Sequence, residues 1–87
     1  MYYEAKSVKY IRDYLLEVVF VDGTKGVADL SEYSKRGGVF SRFADMEFFK
    51  KVFVTPDFGV LTWPGEVDIA PETIYEKVTG KPLKKVI

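Results

Sequence analysis

The side chains of this 87-residue chain best suited to chemistry are carboxylates. Glu66, Asp68 and Glu72 are gathered in TWPGEVDIAPETIY, residues 62–75, close behind the sole tryptophan, Trp63. Two such acids can pair as general acid and base, and an all-oxygen donor set would hold magnesium or calcium, not zinc. Their spacing matches no calcium-loop pattern, and acids near a helix start are favoured by the helix dipole without any ligand. The chain has no histidine and no cysteine. No Ser-His or Cys-His nucleophile, thiolate metal site or disulfide can be built from it. Lys35-Arg36-Gly37-Gly38 has the residue types of a phosphate cradle but lacks the Gly-x4-Gly-Lys-Ser/Thr spacing, and reads as a solvated loop. The expectation is a non-enzymatic protein with no catalytic residue, no metal and no cofactor. The enzymatic alternative is a metal-dependent hydrolase working through carboxylates.

Charge points away from nucleic acid. Thirteen basic and thirteen acidic side chains give a formal net charge of zero, so no global field draws the protein to a phosphate backbone. The distribution is uneven: Asp57, Glu66, Asp68, Glu72 and Glu76 fall within residues 52–76, which hold no base, and Lys77, Lys81, Lys84 and Lys85 follow without an acid. A helix with acids early and lysines at its end accounts for this order. The terminal lysines with Tyr2 and Tyr3 could touch a nucleic-acid backbone, but no recognition motif accompanies them, and direct nucleic-acid binding is not expected. MYYEAKSVKY lacks the apolar stretch of a signal peptide, and no apolar run is long enough for a membrane span. A soluble, cytoplasmic protein with no membrane partner is expected.

The elements that must position these residues fit one domain, 1–87. A chain this short buries only roughly 60–65% of its unfolded surface. Seven phenylalanines, six tyrosines and one tryptophan compensate with large area per residue. Ala5 to Ile11, Leu15 to Val21 and Thr24 to Leu30 read as a three-stranded meander. The middle strand is apolar on both faces, Leu16, Val18 and Phe20 on one, Leu15, Val19 and Val21 with Glu17 on the other. Such a strand is either covered twice or left to pair through one face, which predicts a homodimer through the sheet. Asp22-Gly23 is the dipeptide of a two-residue type I′ turn. In SEYSKRGGVFSRFADMEFFKKVFV, Val39, Phe40 and Phe43 recur at helical spacing. Asp45 can cap a further short turn that presents Phe48 or Phe49 inward. Val52 to Val54 and Val60 to Trp63 flank TPDFG as a second hairpin. The sum is α+β: a mostly antiparallel sheet, a meander plus a second hairpin, with one or two short helices.

Within that frame the stretch at 62–75 has two readings. Pro64 and Gly65 suit a type II turn after Trp63, and Pro71 suits the first turn of a helix with Asp68 or Ala70 near its cap. Ile74 and Val78 would face inward, and Gly80 and Pro82 end the helix. On this reading the stretch is a joint between strand and helix, and it is the preferred one, because a lone tryptophan usually packs. On the other reading Trp63, Asp68 and Tyr75 line a shallow pocket. The candidate partner-binding set is then Trp63, Pro64, Glu66, Asp68 and Tyr75.

The ordered residues Phe20-x-Asp22-Gly23, Gly26, Asp29-Leu30, Val39-Phe40, Phe43, Asp45, Phe49, Val52, Gly59-x-Leu61, Trp63-Pro64 and Asp68-Ile69-x-Pro71-Glu72-x-Ile74-Tyr75 resemble the small bacterial family called domain of unknown function 2442. The resemblance spans nearly the whole chain and is most specific from Trp63 to Tyr75. One departure is that Gly65-Glu66 stands where the family commonly has Asn-Gly after Trp-Pro. The resemblance implies an α+β domain, sometimes followed by a helix-turn-helix module and often encoded beside another small protein in a toxin-antitoxin-like arrangement. It therefore implies a non-catalytic interaction or regulatory module, the neutralising member of a two-gene pair, whose partner is the small protein of the neighbouring gene. The alternative is a sensory or dimerising accessory domain of a DNA-bound regulator.

Overall fold

The structure, a computed structural model, describes residues 3–80. The order of elements is β1 (Ala5–Arg12), β2 (Leu15–Phe20), β3 (Lys25–Asp29), two 3₁₀ helices (Ser31–Lys35 and Gly38–Ala44), α1 (Met46–Phe49), β4 (Phe53–Val54), β5 (Leu61–Trp63), β6 (Val67–Ile69) and α2 (Pro71–Thr79). The strands form two antiparallel three-stranded sheets, β1-β2-β3 and β4-β5-β6, so the fold is α+β. The meander is as expected. The second sheet is larger than the expected hairpin, because Val67–Ile69 pairs with Leu61–Trp63 as a third strand.

The alternation of β2 decides which face of the first sheet is the core. Leu16, Val18 and Phe20 are wholly buried, in register with Tyr10, Val8 and Ala5 of β1; Ala28 and Gly26 of β3 face Leu16 and Val18. The phenylalanine-bearing turns cover this same face. Phe43 and Phe49 lie edge-on to each other at 5.2 Å between ring centroids, and Phe49 meets Tyr14 at 4.9 Å and Tyr10 at 6.2 Å. The turns at Gly38–Ala44 are 3₁₀ and not α, so Val39 points out to solvent, 67% exposed, while Phe43 is fully buried. Asp45 caps α1 by accepting from the Glu47 N–H, and α1 buries both Phe48 and Phe49. Among the described residues nothing of the aromatic layer reaches the other face of β2, where Leu15 and Val19 remain half-buried.

The first hairpin turn differs from expectation, and the turn after Trp63 has the positive φ expected at Gly65. Asp22-Gly23 is not a two-residue type I′ turn, since Asp22 does not take positive φ. The Gly23 N–H donates to the Phe20 carbonyl and the Phe20 N–H to the Thr24 carbonyl, which closes a three-residue loop with Gly23 at φ 91°. This frees the Asp22 side chain to accept from the Thr24 N–H at 2.9 Å. At the other turn, Gly65 takes φ 87°, as a type II turn requires, and Glu66 follows at φ 65°, in the left-handed region. A side-chain-bearing residue here is strained by the contact of Cβ with the backbone.

α2 starts with Pro71 at its first turn and ends on Gly80 in the left-handed conformation. Pro82 lies outside the described residues. The helix buries Ile74, and docks where β3 carries Gly26: a Cβ there would come within 2.7 Å of Val78 Cγ1. The core that results is shared by both sheets and both helices, with Leu61, Trp63, Ile69 and Ile74 buried alongside the residues of β2.

Candidate functional site

Trp63 is the last residue of β5, and its indole is wholly buried. Its ring lies 4.6 Å from Phe43 and 5.8 Å from Phe49, and Nε1–H donates to the Phe49 carbonyl at 2.8 Å. That bond satisfies the polar edge of the indole and the end of α1 together. Trp63 is therefore the joint, and it does not line a pocket with Asp68 and Tyr75. Of the two residues expected near the cap of α2, Ala70 holds the position and Asp68 does not. Asp68 lies on β6 opposite Thr62, exposed, and the residue that caps α2 is Ala70, with no side-chain capping bond.

Tyr75 stands in another cluster. Its hydroxyl donates to Asp22 Oδ2 at 2.8 Å and lies 3.2 Å from Thr24 Oγ1; its ring meets Phe20 edge-on at 4.9 Å and Tyr3 at 5.3 Å. The conformation of the Val21-Asp22-Gly23 loop makes this contact, since it aims the carboxylate at α2. The Asp22 carboxyl is held below its ordinary value of 3.8, chiefly by the Thr24 N–H and next by the Tyr75 hydroxyl. Two distant parts of the chain are thus tied through solvent-facing polar groups. A second tie is parallel to it: Lys77 Nζ donates to Glu32 Oε1 at 3.0 Å, and Arg36 donates to Glu32 Oε2 at 3.1 Å. Lys77, and secondarily Arg36, hold the Glu32 carboxyl below its ordinary 4.5. Arg36 also lies over the Tyr33 ring at 4.3 Å, so the Lys35-Arg36-Gly37-Gly38 loop spends its guanidinium on the protein itself.

Of the expected partner-binding set, Pro64, Glu66 and Asp68 are exposed together on the β5–β6 hairpin, Tyr75 is half-buried on α2, and Trp63 is enclosed. The register of the second sheet adds residues that the sequence reading passed over. Phe53, Thr62 and Asp68 are in register across it; Phe53 is 45% exposed and Asp68 is exposed, while Thr62 between them is buried. Phe58, in the β4–β5 loop, is 70% exposed and has Asp57 beside it. Strict alternation from the half-buried Val54 would have placed Phe53 outside; its apolar character hid this. Arg42 approaches the hairpin tip, its guanidinium 4.0 Å from where a Cβ on Gly65 would sit and over the Phe48 ring at 4.1 Å, and the exposed Lys50 and Lys51 precede β4 in the chain.

The surface can offer two exposed aromatic rings framed by carboxylates, an arrangement suited to apolar side chains carried with positive charge. It does not assemble a metal cage: among the described residues no group of three or more acids converges, and Glu66, Asp68 and Glu72 stand on a turn, a strand and a helix respectively. No helix among those residues is long and apolar enough to cross a membrane. The acidic start of α2 holds Glu72 in its first turn and Lys77 in its last, as the helix dipole favours, and Lys81, Lys84, Lys85 and Tyr2 lie outside the described residues.

A family model described as a protein of unknown function, DUF2442, matches residues 5–80. No curated protein and no solved structure matches the chain.

Proposed function

The chain belongs to the DUF2442 family, and from that premise we propose that it is a non-catalytic protein-interaction module that binds a basic, partly apolar segment of a small protein encoded beside it. The observation that carries this reading is the exposure of Phe53 and Asp68 on either side of the buried Thr62 of the second sheet, with Phe58 exposed in the β4–β5 loop and Pro64 and Glu66 exposed at the β5–β6 hairpin tip. Exposed phenylalanines on so small a chain are surface the fold does not use. The carboxylates around them favour a cationic partner and repel acidic ones. The neutralising role in a two-gene pair and residence in the cytoplasm belong to this proposal.

Calorimetric titration with the purified product of the neighbouring gene tests it. Phe58→Ser and Asp68→Lys, both at exposed positions, are expected to weaken binding at least about tenfold while leaving the melting temperature nearly unchanged. No heat of binding at high protein concentration, or full affinity in both variants, contradicts the reading. The non-catalytic part is tested separately on generic phosphatase, esterase and nuclease substrates with magnesium. Turnover that vanishes in Asp68→Asn would return the chain to the hydrolases. A second reading, a dimerising domain beside a separate DNA-binding module, draws on the outer face of the first sheet.

A further inference from the structure

We propose that the outer face of the first sheet is a homodimer interface whose two-fold axis runs along β2. The strand registers set three rows across this face: Arg12, Leu15 and Asp29; Lys9, Glu17 and Val27; Ser7, Val19 and Lys25. An apolar pair, Leu15 and Val19, thus runs down the middle strand, half-buried, and Val27 beside it is 46% exposed. The helices leave this face alone among the described residues, because α2 and the aromatic turns pack against Phe20, Gly26, Tyr10 and the other inward positions.

Charge selects both the occupant and the axis. Rotation by half a turn about β2 lays β1 of one copy over β3 of the other and keeps the rows aligned. Leu15 then meets Leu15, Val19 meets Val19, and each Arg12 faces the Asp29 of the other copy, one such pair at each edge. Lys9 lies across Val27, where its methylene stem can cover the valine while the ammonium stays in water. The competing two-fold, across the strands, puts Asp29 opposite Lys25 but sets Lys9 on Lys9 and leaves Arg12 facing Ser7. The face is self-complementary in the first arrangement, as an isologous interface must be. Glu17 meets its counterpart near the axis in either case, each beside its own Lys25 at 3.8 Å. A three-strand face is small for an interface, so the dimer is weak and reversible.

This surface is separate from the one on the second sheet, so the two proposals fail independently. Sedimentation equilibrium of the full chain up to high micromolar concentration tests it. The wild type is expected to dimerise reversibly. Arg12→Asp and Asp29→Arg are each expected to weaken the dimer about tenfold, and the double variant to recover most of that loss. A strict monomer overturns the proposal. So does a dimer indifferent to Arg12→Asp, which the competing axis predicts, or a double variant no better than the singles. Asp29 also accepts from the Ser31 N–H at 2.9 Å. If Asp29→Arg fails to fold, as a melt would reveal, Arg12→Asp remains decisive, because Arg12 is exposed and its ion pair among the described residues is with the equally exposed Asp13 at 3.8 Å.

Discussion

Trp63 concentrates the packing of this chain in one side chain, with its indole between Phe43 and Phe49 and its N–H on the Phe49 carbonyl. Trp63→Ala removes a buried bicyclic ring and strands that carbonyl, and should cost about 3–5 kcal/mol. A small domain has roughly 5–15 kcal/mol in total, so a thermal melt of this variant is expected to show a largely lost or strongly lowered transition. A Trp63→Ala protein that melts like the wild type would mean that the indole is not the joint. Tyr75 makes a subtler residue-scale case. Tyr75→Phe keeps the ring against Phe20 and removes the hydroxyl from Asp22. The Asp22 pKa, followed by NMR, should move part of the way up toward 3.8 and no further, because the Thr24 N–H, the larger cause, stays in place.

At the scale of elements, the second sheet is controlled by its turns. Gly59 carries the carbonyl that accepts from the Ala5 N–H at 2.8 Å, and this bond ties the second sheet to the first. Its φ is 64°, and a Cβ would fall 2.6 Å from Glu4 Cβ and 3.0 Å from the Ala5 backbone. Gly59→Ala therefore combines backbone strain with a clash against main chain that cannot swing away. A loss of about 2–4 kcal/mol is expected in chemical denaturation. Glu66 presents the opposite case. It takes φ 65° with open solvent around it, so Glu66→Gly should stabilise the β5–β6 hairpin by about 0.5–1 kcal/mol, against the extra entropy of the unfolded glycine. An unchanged or lowered denaturation midpoint would show that the side chain contributes more than its strain costs.

For the whole molecule, the depressed carboxylates share one location. Asp22 bonds to Tyr75 and Glu32 to Lys77, both on α2; Asp29, lowered first by the Ser31 N–H, also feels Lys77. A carboxyl whose folded pKa lies below its unfolded value stabilises the fold above the unfolded value. That contribution fades as pH drops from there through the folded pKa. With ordinary values of 3.8 for the aspartates and 4.5 for Glu32, stability should be flat near neutrality and decline below about pH 4.5. Because these contacts face solvent and join α2 to the β2–β3 loop and to the 3₁₀ helix at Ser31–Lys35, amide exchange measured on the acid limb should rise in α2 before it rises in β2 and β5. Uniform loss of protection along the chain would show that α2 does not loosen ahead of the core. Raised salt should blunt the Glu32–Lys77 part, since both partners are reached by water.

The meander, the Asp45 cap, the Pro71 start and the Gly80 stop were legible in the sequence, because each depends on period-two alternation or on the backbone preferences of one or two residues. The absence of histidine and cysteine likewise set the available chemistry before any fold was known. What the sequence could not settle were properties of pairing. Val67-Asp68-Ile69 is too short to announce itself as a strand and becomes one only because β5 lies alongside to accept its hydrogen bonds, which is why Asp68 faces solvent from a strand and caps no helix. Asp22 could be assigned to a turn but not to Tyr75, 53 positions away, since a contact at that separation exists only after α2 has docked at Gly26. The same holds for Trp63: its identity marks it as an anchor, and only the closure of Phe43 and Phe49 over it in the tertiary structure made it a joint with no face left for a partner.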